Sequence, residues 1–174
     1  MTVKKRKLFT DYEKEEKWLN DMADKGLHLV HYSFFTYTFE TGKPGEYQYR
    51  IQLLKYPPSH LESQTYISFM EENNVEFVDS YIRWVYFRKK TAEGPFEIYS
   101  DNASRIKHYH RIAGLMGAAG GVNLLIALGN LPLSTLNRYV SLLNWLIVII
   151  IIPFFVSYLR KGNKLKKEME LYDK

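Results

Sequence analysis

An α+β head followed by a pair of membrane-crossing helices is the fold class this sequence predicts, and three observations carry it. Residues 112–131 and 140–159 are two long runs without a single charged side chain, and about 20 apolar residues let a helix cross a bilayer. Ahead of them, residues 10–100 alternate stretches of helical and extended patterning. Those stretches recur at a shift of 48 residues, which lays Trp18 on Tyr66, Leu19 on Ile67, Met22 on Met70, Leu29 on Phe77 and Phe39 on Phe87. Two helix–strand–strand units forming one antiparallel sheet, with both helices on one face, are therefore expected ahead of a two-helix transmembrane hairpin. The domain layout is a cytoplasmic head over 1–100, with repeats at about 10–54 and 59–90. A linking helix over 101–111, the hairpin over 112–159 and a basic tail over 160–174 complete it.

Each element has a local cause. Thr10 and Glu13 are spaced as a capping box that satisfies early helix donors, and Trp18, Leu19, Met22 and Ala23 then recur on one stripe. Gly26 stops that helix, since glycine takes the left-handed conformation freely. Residues 27–40 are rich in aromatic and β-branched side chains and predict a strand. Gly42-Lys43-Pro44-Gly45 predicts a hairpin turn, and residues 46–54 alternate strictly, with Tyr47, Tyr49, Ile51 and Leu53 on one side. Pro57-Pro58 breaks the chain, and Ser59 with Glu62 makes a second capping box. The second helix carries Tyr66, Ile67, Phe69 and Met70 and stops at Asn73-Asn74. Asn74 falls on Gly26 in the repeat, and asparagine is enriched among non-glycine left-handed residues. Strands follow over 75–80 and 81–90, with a short fifth over 96–99, and Ser100-Asp101 caps a last helix that runs into the first apolar segment.

The net charge of +5 divides unevenly. Residues 1–111 hold 17 basic and 16 acidic side chains, while residues 160–174 hold 6 and 3. A near-neutral head lacks the electrostatic footprint of a nucleic-acid binder. Basic residues flank both outer ends of the hairpin, at Arg105, Lys107 and Arg111 and at Arg160, Lys161, Lys164, Lys166 and Lys167. The turn, with Pro132, Ser134, Thr135 and Asn137, carries only Arg138. The positive-inside rule places both termini in the cytoplasm of a multi-pass cell-membrane protein, and the tail is suited to anionic lipid head groups. The basic start, Lys4 to Lys7, precedes a charged helix rather than an apolar run, so it is no signal peptide.

Chemistry is sparsely represented. The chain has no cysteine, which removes disulfides, thiolate metal sites and a thiol nucleophile. No phosphate-binding glycine loop, paired-histidine metal helix or nucleophile elbow occurs. His108 and His110 lie about 200° apart on a helix and cannot chelate one ion from it. His28 and His31 fall on opposite strand faces, and His60 follows a cap. Glu13, Glu15 and Glu16 have the pattern of a solvated first turn that complements the helix dipole. No cofactor, no metal and no catalysis are expected. A sheet covered by helices on one side only leaves an open face, and there Gln48, Arg50, Gln52, Trp84, Tyr86 and Arg88 form the candidate ligand or partner surface. In the first apolar run Ala113, Gly117 and Gly121, with Gly114 and Ala118, provide a nearly bare helix face for close packing against the second run or another copy. Asn123 there needs a hydrogen-bond partner in lipid, for which Asn144 is the candidate. Pro153 is placed to kink the second helix.

Three stretches together carry a family resemblance: Trp18-Leu19 with Met22-Ala23 and Lys25-Gly26, residues 44–50 (Pro44 to Arg50), and residues 83–88 (Arg83 to Arg88). With Phe96 and Ser100-Asp101-Asn102 added, the chain resembles the bacterial domain of unknown function 2812. Leu27 stands where that family often has an aromatic residue. The resemblance implies a helical hairpin after the head, no established activity, and a setting beside regulators of the PadR type, which are small winged-helix repressors. The function expected is a membrane-anchored sensory or regulatory domain that captures a protein partner, such as a PadR-type repressor. The alternative is a small-molecule-binding or accessory subunit of a membrane transporter.

Overall fold

In the computed structural model residues 1–130 and 135–172 are described. Leu131 at the end of the first apolar run, Pro132 and Ser134 of the expected turn, and the last two residues of the tail lie outside the described residues. The chain divides into two compact units, Met1–Ile98 and Tyr99–Lys174.

The first unit is α+β, and each half begins with a strand. The order is β1 (Thr2–Arg6), α1 (Tyr12–Ala23), β2 (Leu27–Ser33), β3 (Thr36–Thr41), then β4 (Tyr47–Leu53), α2 (Leu61–Glu72), β5 (Glu76–Tyr81) and β6 (Trp84–Lys90). The strands form two three-stranded antiparallel sheets, β1-β3-β2 and β4-β6-β5, rather than one. In each, a strand–helix–strand crossover brackets a central strand, the split arrangement of a βαββ unit. The 48-residue shift also carries local irregularities. A bulge falls between Leu29 and His31 in β2 and between Phe77 and Asp79 in β5. Positive φ occurs at Gly26 and Asn74, and at Phe34 and Ile82.

Those bulges explain why the sheets stay separate. A bulge bends its strand and interrupts the ladder, and both lie where the β2 and β5 edges meet. There the Asp79 carboxylate accepts the Tyr32 backbone N–H at 2.7 Å and lies 2.7 Å from His31 Nδ1. A side chain thus occupies the position of a strand partner.

Several sequence expectations change. Residues 27–40 are a hairpin, β2–β3, turning at Phe34-Phe35, a pair that carries no turn signal. Gly42 to Gly45 is not a hairpin turn but the link between sheets. It folds back on the end of α1, with Gly42 N–H donating to Gly26 O and Gly45 N–H to Ala23 O, both at 2.9 Å. A Cβ at Gly26 would lie 2.6 Å from that Gly42 oxygen. The helix caps are Asp11 and His60 rather than Thr10 and Ser59. Asp11 Oδ1 accepts from Glu13 N–H at 3.0 Å, and His60 Nδ1 from Glu62 N–H at 3.2 Å. Residues 96–99 are not a strand; Phe96 instead plugs the core of the second half beside Val85, Phe87 and Met70.

The second unit is a helical hairpin of α3 (Asn102–Asn130) and α4 (Thr135–Tyr172), capped at the start by Asp101, which accepts from Ser104 N–H at 2.6 Å. Both helices are long and apolar enough to cross a membrane. On α4 the contacts recur at Ser141, Asn144, Val148, Ile151, Phe155, Tyr158 and Gly162, the seven-residue seam of left-handed antiparallel packing. They meet Ala113, Gly117, Gly120 and Ala127 of α3. A Cβ at Gly117 would lie 3.0 Å from the Phe155 ring, and one at Gly120 3.4 Å from Ile151.

The small-residue face is therefore only partly the expected one. Ala113 and Gly117 pack against α4, whereas a side chain added at Gly114 or Gly121 would meet nothing within 4 Å of its Cβ and Ala118 is exposed. Asn123 and Asn144 do not pair. Each donates to the carbonyl four residues back, Ala119 O and Val140 O, at 2.8 Å, the local bond that spares a helix-borne amide from needing a partner. An interhelical hydrogen bond comes from Ser141, whose hydroxyl donates to Ala127 O at 2.7 Å.

Candidate functional site: a buried carboxylate between the two halves of the head

The face expected from alternation is divided by the register of β4 and β6. Opposed residues in a ladder share a side, and Gln48, Arg50 and Gln52 oppose Lys89, Phe87 and Val85. They lie on the side of the second core. Trp84, Tyr86 and Arg88 oppose Leu53, Ile51 and Tyr49 and lie on the other. Neither side is open. Gln48 Oε1 accepts Phe96 N–H at 3.3 Å, and Gln52 is buried. Arg50 reaches Glu97 at 3.1 Å and Glu16 at 3.5 Å. On the other side Trp84 packs against Tyr12 at 5.7 Å between ring centroids, and Arg88 binds Glu76 at 2.7 Å beneath the Tyr47 ring.

Of the six, Tyr86 leads to the site. Its hydroxyl, 2% exposed as a residue, donates to Glu15 Oε1 at 2.7 Å, and Tyr37 donates to the same oxygen at 2.8 Å. Tyr37 stands on β3 and Tyr86 on β6, so one carboxylate oxygen ties the two sheets together through α1. The Tyr32 ring lies 4.7 Å from Tyr37 and 5.1 Å from Tyr86, and Trp18 lies 4.8 Å from Tyr37. The first turn of α1 is thus not wholly solvated. Burial raises the Glu15 carboxyl above its usual range against the lowering effect of both hydroxyls. The same burial, with the nearby carboxylate, holds Tyr37 and Tyr86 protonated as donors.

Glu16, one position on, does different work. Its Oε2 accepts Ile51 N–H at 3.0 Å, while Asn20, a turn later, exchanges hydrogen bonds with Tyr49 N–H at 2.8 Å and Tyr49 O at 3.1 Å. Side chains of α1 thereby satisfy the outer edge of β4, which would otherwise be free to pair with another chain. Burial raises the Glu16 carboxyl to about 7, with the Ile51 hydrogen bond and Arg50 opposing the rise.

The sequence held one signal for Glu15. It lies four residues before Leu19 and seven before Met22, on the buried stripe, where an acidic residue calls for a partner. Of the histidines, His28 is buried with Nε2 3.0 Å from Lys43 O, and His108 is buried as well. Among the described residues no group of three His, Cys, Asp or Glu is placed to hold a metal ion.

A family profile described as protein of unknown function (DUF2812) matches residues 11–120. No curated protein and no solved structure matches the chain.

Proposed function

The chain belongs to the DUF2812 family of proteins of unknown function, and from that premise we propose that it is a membrane-anchored sensory protein whose head binds a small organic cation at Glu15. One observation carries this. Among the described residues Glu15 is held by two neutral hydroxyls and by no lysine or arginine, inside a group of aromatic rings. A desolvated carboxylate without a counter-charge favours a cation, and tyrosine faces add cation–π attraction for an ammonium with apolar substituents. Because the two hydroxyls come from different sheets, a ligand that displaced either would loosen the joint between the halves. Differential affinity for the two arrangements is what shifts such an equilibrium. The role is recognition and not catalysis.

The output is capture or release of a protein partner at the membrane, a PadR-type repressor being the one the family resemblance implies. The hairpin spans the cell membrane with both termini cytoplasmic, by the distribution of basic residues. Anionic lipid meets the tail at a groove of α4 lined by Ile152, Pro153, Val156, Ser157, Arg160 and Lys164. A second reading, an accessory subunit of a transporter or a homo-oligomer, is favoured by the outward face of α3 at Gly114, Ala118 and Gly121, which α4 leaves bare.

The test is titration of the full chain in lipid nanodiscs with benzyltrimethylammonium and, for comparison, neutral benzyl alcohol, followed by thermal stabilisation and tyrosine fluorescence. Saturable binding of the cation alone, weakened at least tenfold in Glu15→Gln, is expected. Equal binding to Glu15→Gln, or no preference for the cation, overturns the ligand class. Affinity purification from native membranes in mild detergent separates the outputs, a soluble DNA-binding protein favouring the first and a multi-helix permease the second.

A further inference from the structure

The two hairpin turns of the head share an unusual chemistry. Two-residue hairpin loops need positive φ and are ordinarily built from Asn and Gly. Here the β2–β3 loop is Phe34-Phe35, with φ of 26° and 63°, and the β5–β6 loop begins with Ile82 at 59°. Large and β-branched side chains are disfavoured in this region. They are also turned outward, Phe34 65% exposed, Phe35 38% and Ile82 73%. Neither the backbone nor a core rewards these residues where they stand, and strained positions of this kind concentrate at functional surfaces.

The two turns are neighbours. Tyr32 and Tyr81, which lead into them, have ring centroids 5.5 Å apart. The end of β1 joins the same group: Arg6 pairs with Thr36 across the ladder, and Lys7 N–H donates to Phe35 O at 3.0 Å. Leu8, 62% exposed, follows. Segments 4–8, 33–36 and 81–84 together carry Lys4, Lys5, Arg6, Lys7 and Arg83 and no acidic residue. Part of that charge is already engaged, since Lys7 lies over the Phe9 and Trp18 rings and Arg83 donates to Leu54 O. Arg6 and Lys4 are exposed.

From this geometry we infer that the paired turns form a membrane-docking tip, in which Phe34, Phe35, Ile82 and Leu8 enter the head-group region of an anionic bilayer and the surrounding basic side chains meet its phosphates. Apolar side chains rimmed by Lys and Arg are the make-up of an interfacial surface, and anionic lipid adds favourable energy for each basic residue at the surface. The inference rests on the reading that the chain is membrane-anchored. An anchor holds the head at high effective concentration near the bilayer, so a tip too weak to recruit a free protein can still set the head's orientation.

The absence of cysteine makes the test site-specific. In the full chain Ile82→Cys and, separately, Phe34→Cys are labelled with an environment-sensitive nitrobenzoxadiazole dye, with Glu62→Cys on α2 as the reference. Each is placed in nanodiscs of phosphatidylcholine with or without phosphatidylglycerol, with brominated acyl chains as quencher. Retention on the discs after an alkaline carbonate wash reports anchoring independently of the dye. Blue-shifted, bromine-quenched emission at positions 82 and 34 in the phosphatidylglycerol discs, reduced by salt and missing at position 62, is expected. Emission at position 82 as solvent-like as at 62 overturns the tip while leaving anchoring to the wash. Equal quenching in both lipids overturns the anionic assignment. A shift that grows with protein concentration without quenching shows a second copy covering the tip, and also overturns it.

Discussion

Replacing Glu16 by Gln tests the account of α1 most directly, because burial and hydrogen bonding there act in opposite directions. The carboxyl accepts Ile51 N–H and faces Arg50, yet burial wins and raises its pKa from 4.5 to about 7. A carboxyl that binds its proton more tightly folded than unfolded contributes stability that is fully present below pH 4.5. That contribution is lost as pH rises to about 7. At roughly 1.4 kcal/mol per pKa unit, ionised Glu16 costs the head about 3 kcal/mol at pH 8 relative to its protonated form. Glutamine keeps an oxygen for Ile51 N–H and carries no charge, and Arg50 keeps Glu97. Glu16→Gln is therefore expected to be more stable than wild type at pH 8 and equal to it near pH 4.5. The assay is urea unfolding of the full chain in nanodiscs, followed by Trp18 and Trp84 fluorescence across that range. For a slope of ~1–3 kcal/mol per molar, the midpoint at pH 8 should rise by about 1–3 M. A variant less stable than wild type at pH 8, or one whose midpoint keeps the full pH slope, refutes the claim that burial dominates.

Three further outcomes follow from the packing. Tyr86→Phe or Tyr37→Phe removes one donor from Glu15 and should cost about 1–3 kcal/mol. The pair together should cost less than the sum, because Glu15 then protonates; strict additivity in a double-mutant cycle would count against a shared carboxylate. Gly26→Ala should destabilise the head by more than the ~1–2 kcal/mol of left-handed strain, since its Cβ would also meet Gly42 O at 2.6 Å. Asn74→Gly, at the corresponding helix stop, should change unfolding by less than about 0.5 kcal/mol. Gly117→Leu should lower the melting temperature of the hairpin in detergent, because its Cβ would stand 3.0 Å from the Phe155 ring, while Gly121→Leu should leave it unchanged.

How much of this was legible depends on the range of the interaction involved. The apolar runs and the helices with their glycine and asparagine stops are written in local patterning and reappear in three dimensions, whereas the units expected at about 10–54 and 59–90 are drawn differently: β4 opens the second half rather than closing the first. The caps moved by one residue because Asp11 and His60 compete with Thr10 and Ser59 for the same backbone donors. The candidate face failed for a longer-range reason. Alternation says which residues of one strand share a side, but only the register of β4 on β6 says which sides of two strands coincide. A slip of one residue exchanges them.

What the sequence by itself determined were the features written in composition and in long periodic runs. These are the two uncharged helices, the absence of thiol chemistry, a charge-balanced head and the helix stops at Gly26 and Asn74, while β1 and the division of residues 27–40 into β2 and β3 were not among them. Tertiary structure decided that Glu15 and Glu16, read together with Glu13 as a solvated first turn, face inward to bind Tyr37, Tyr86 and the edge of β4. The physical reason is that a carboxylate's environment is set by the elements that close over it. Those elements, β3, β4 and β6, come from 20 to 70 residues further along the chain.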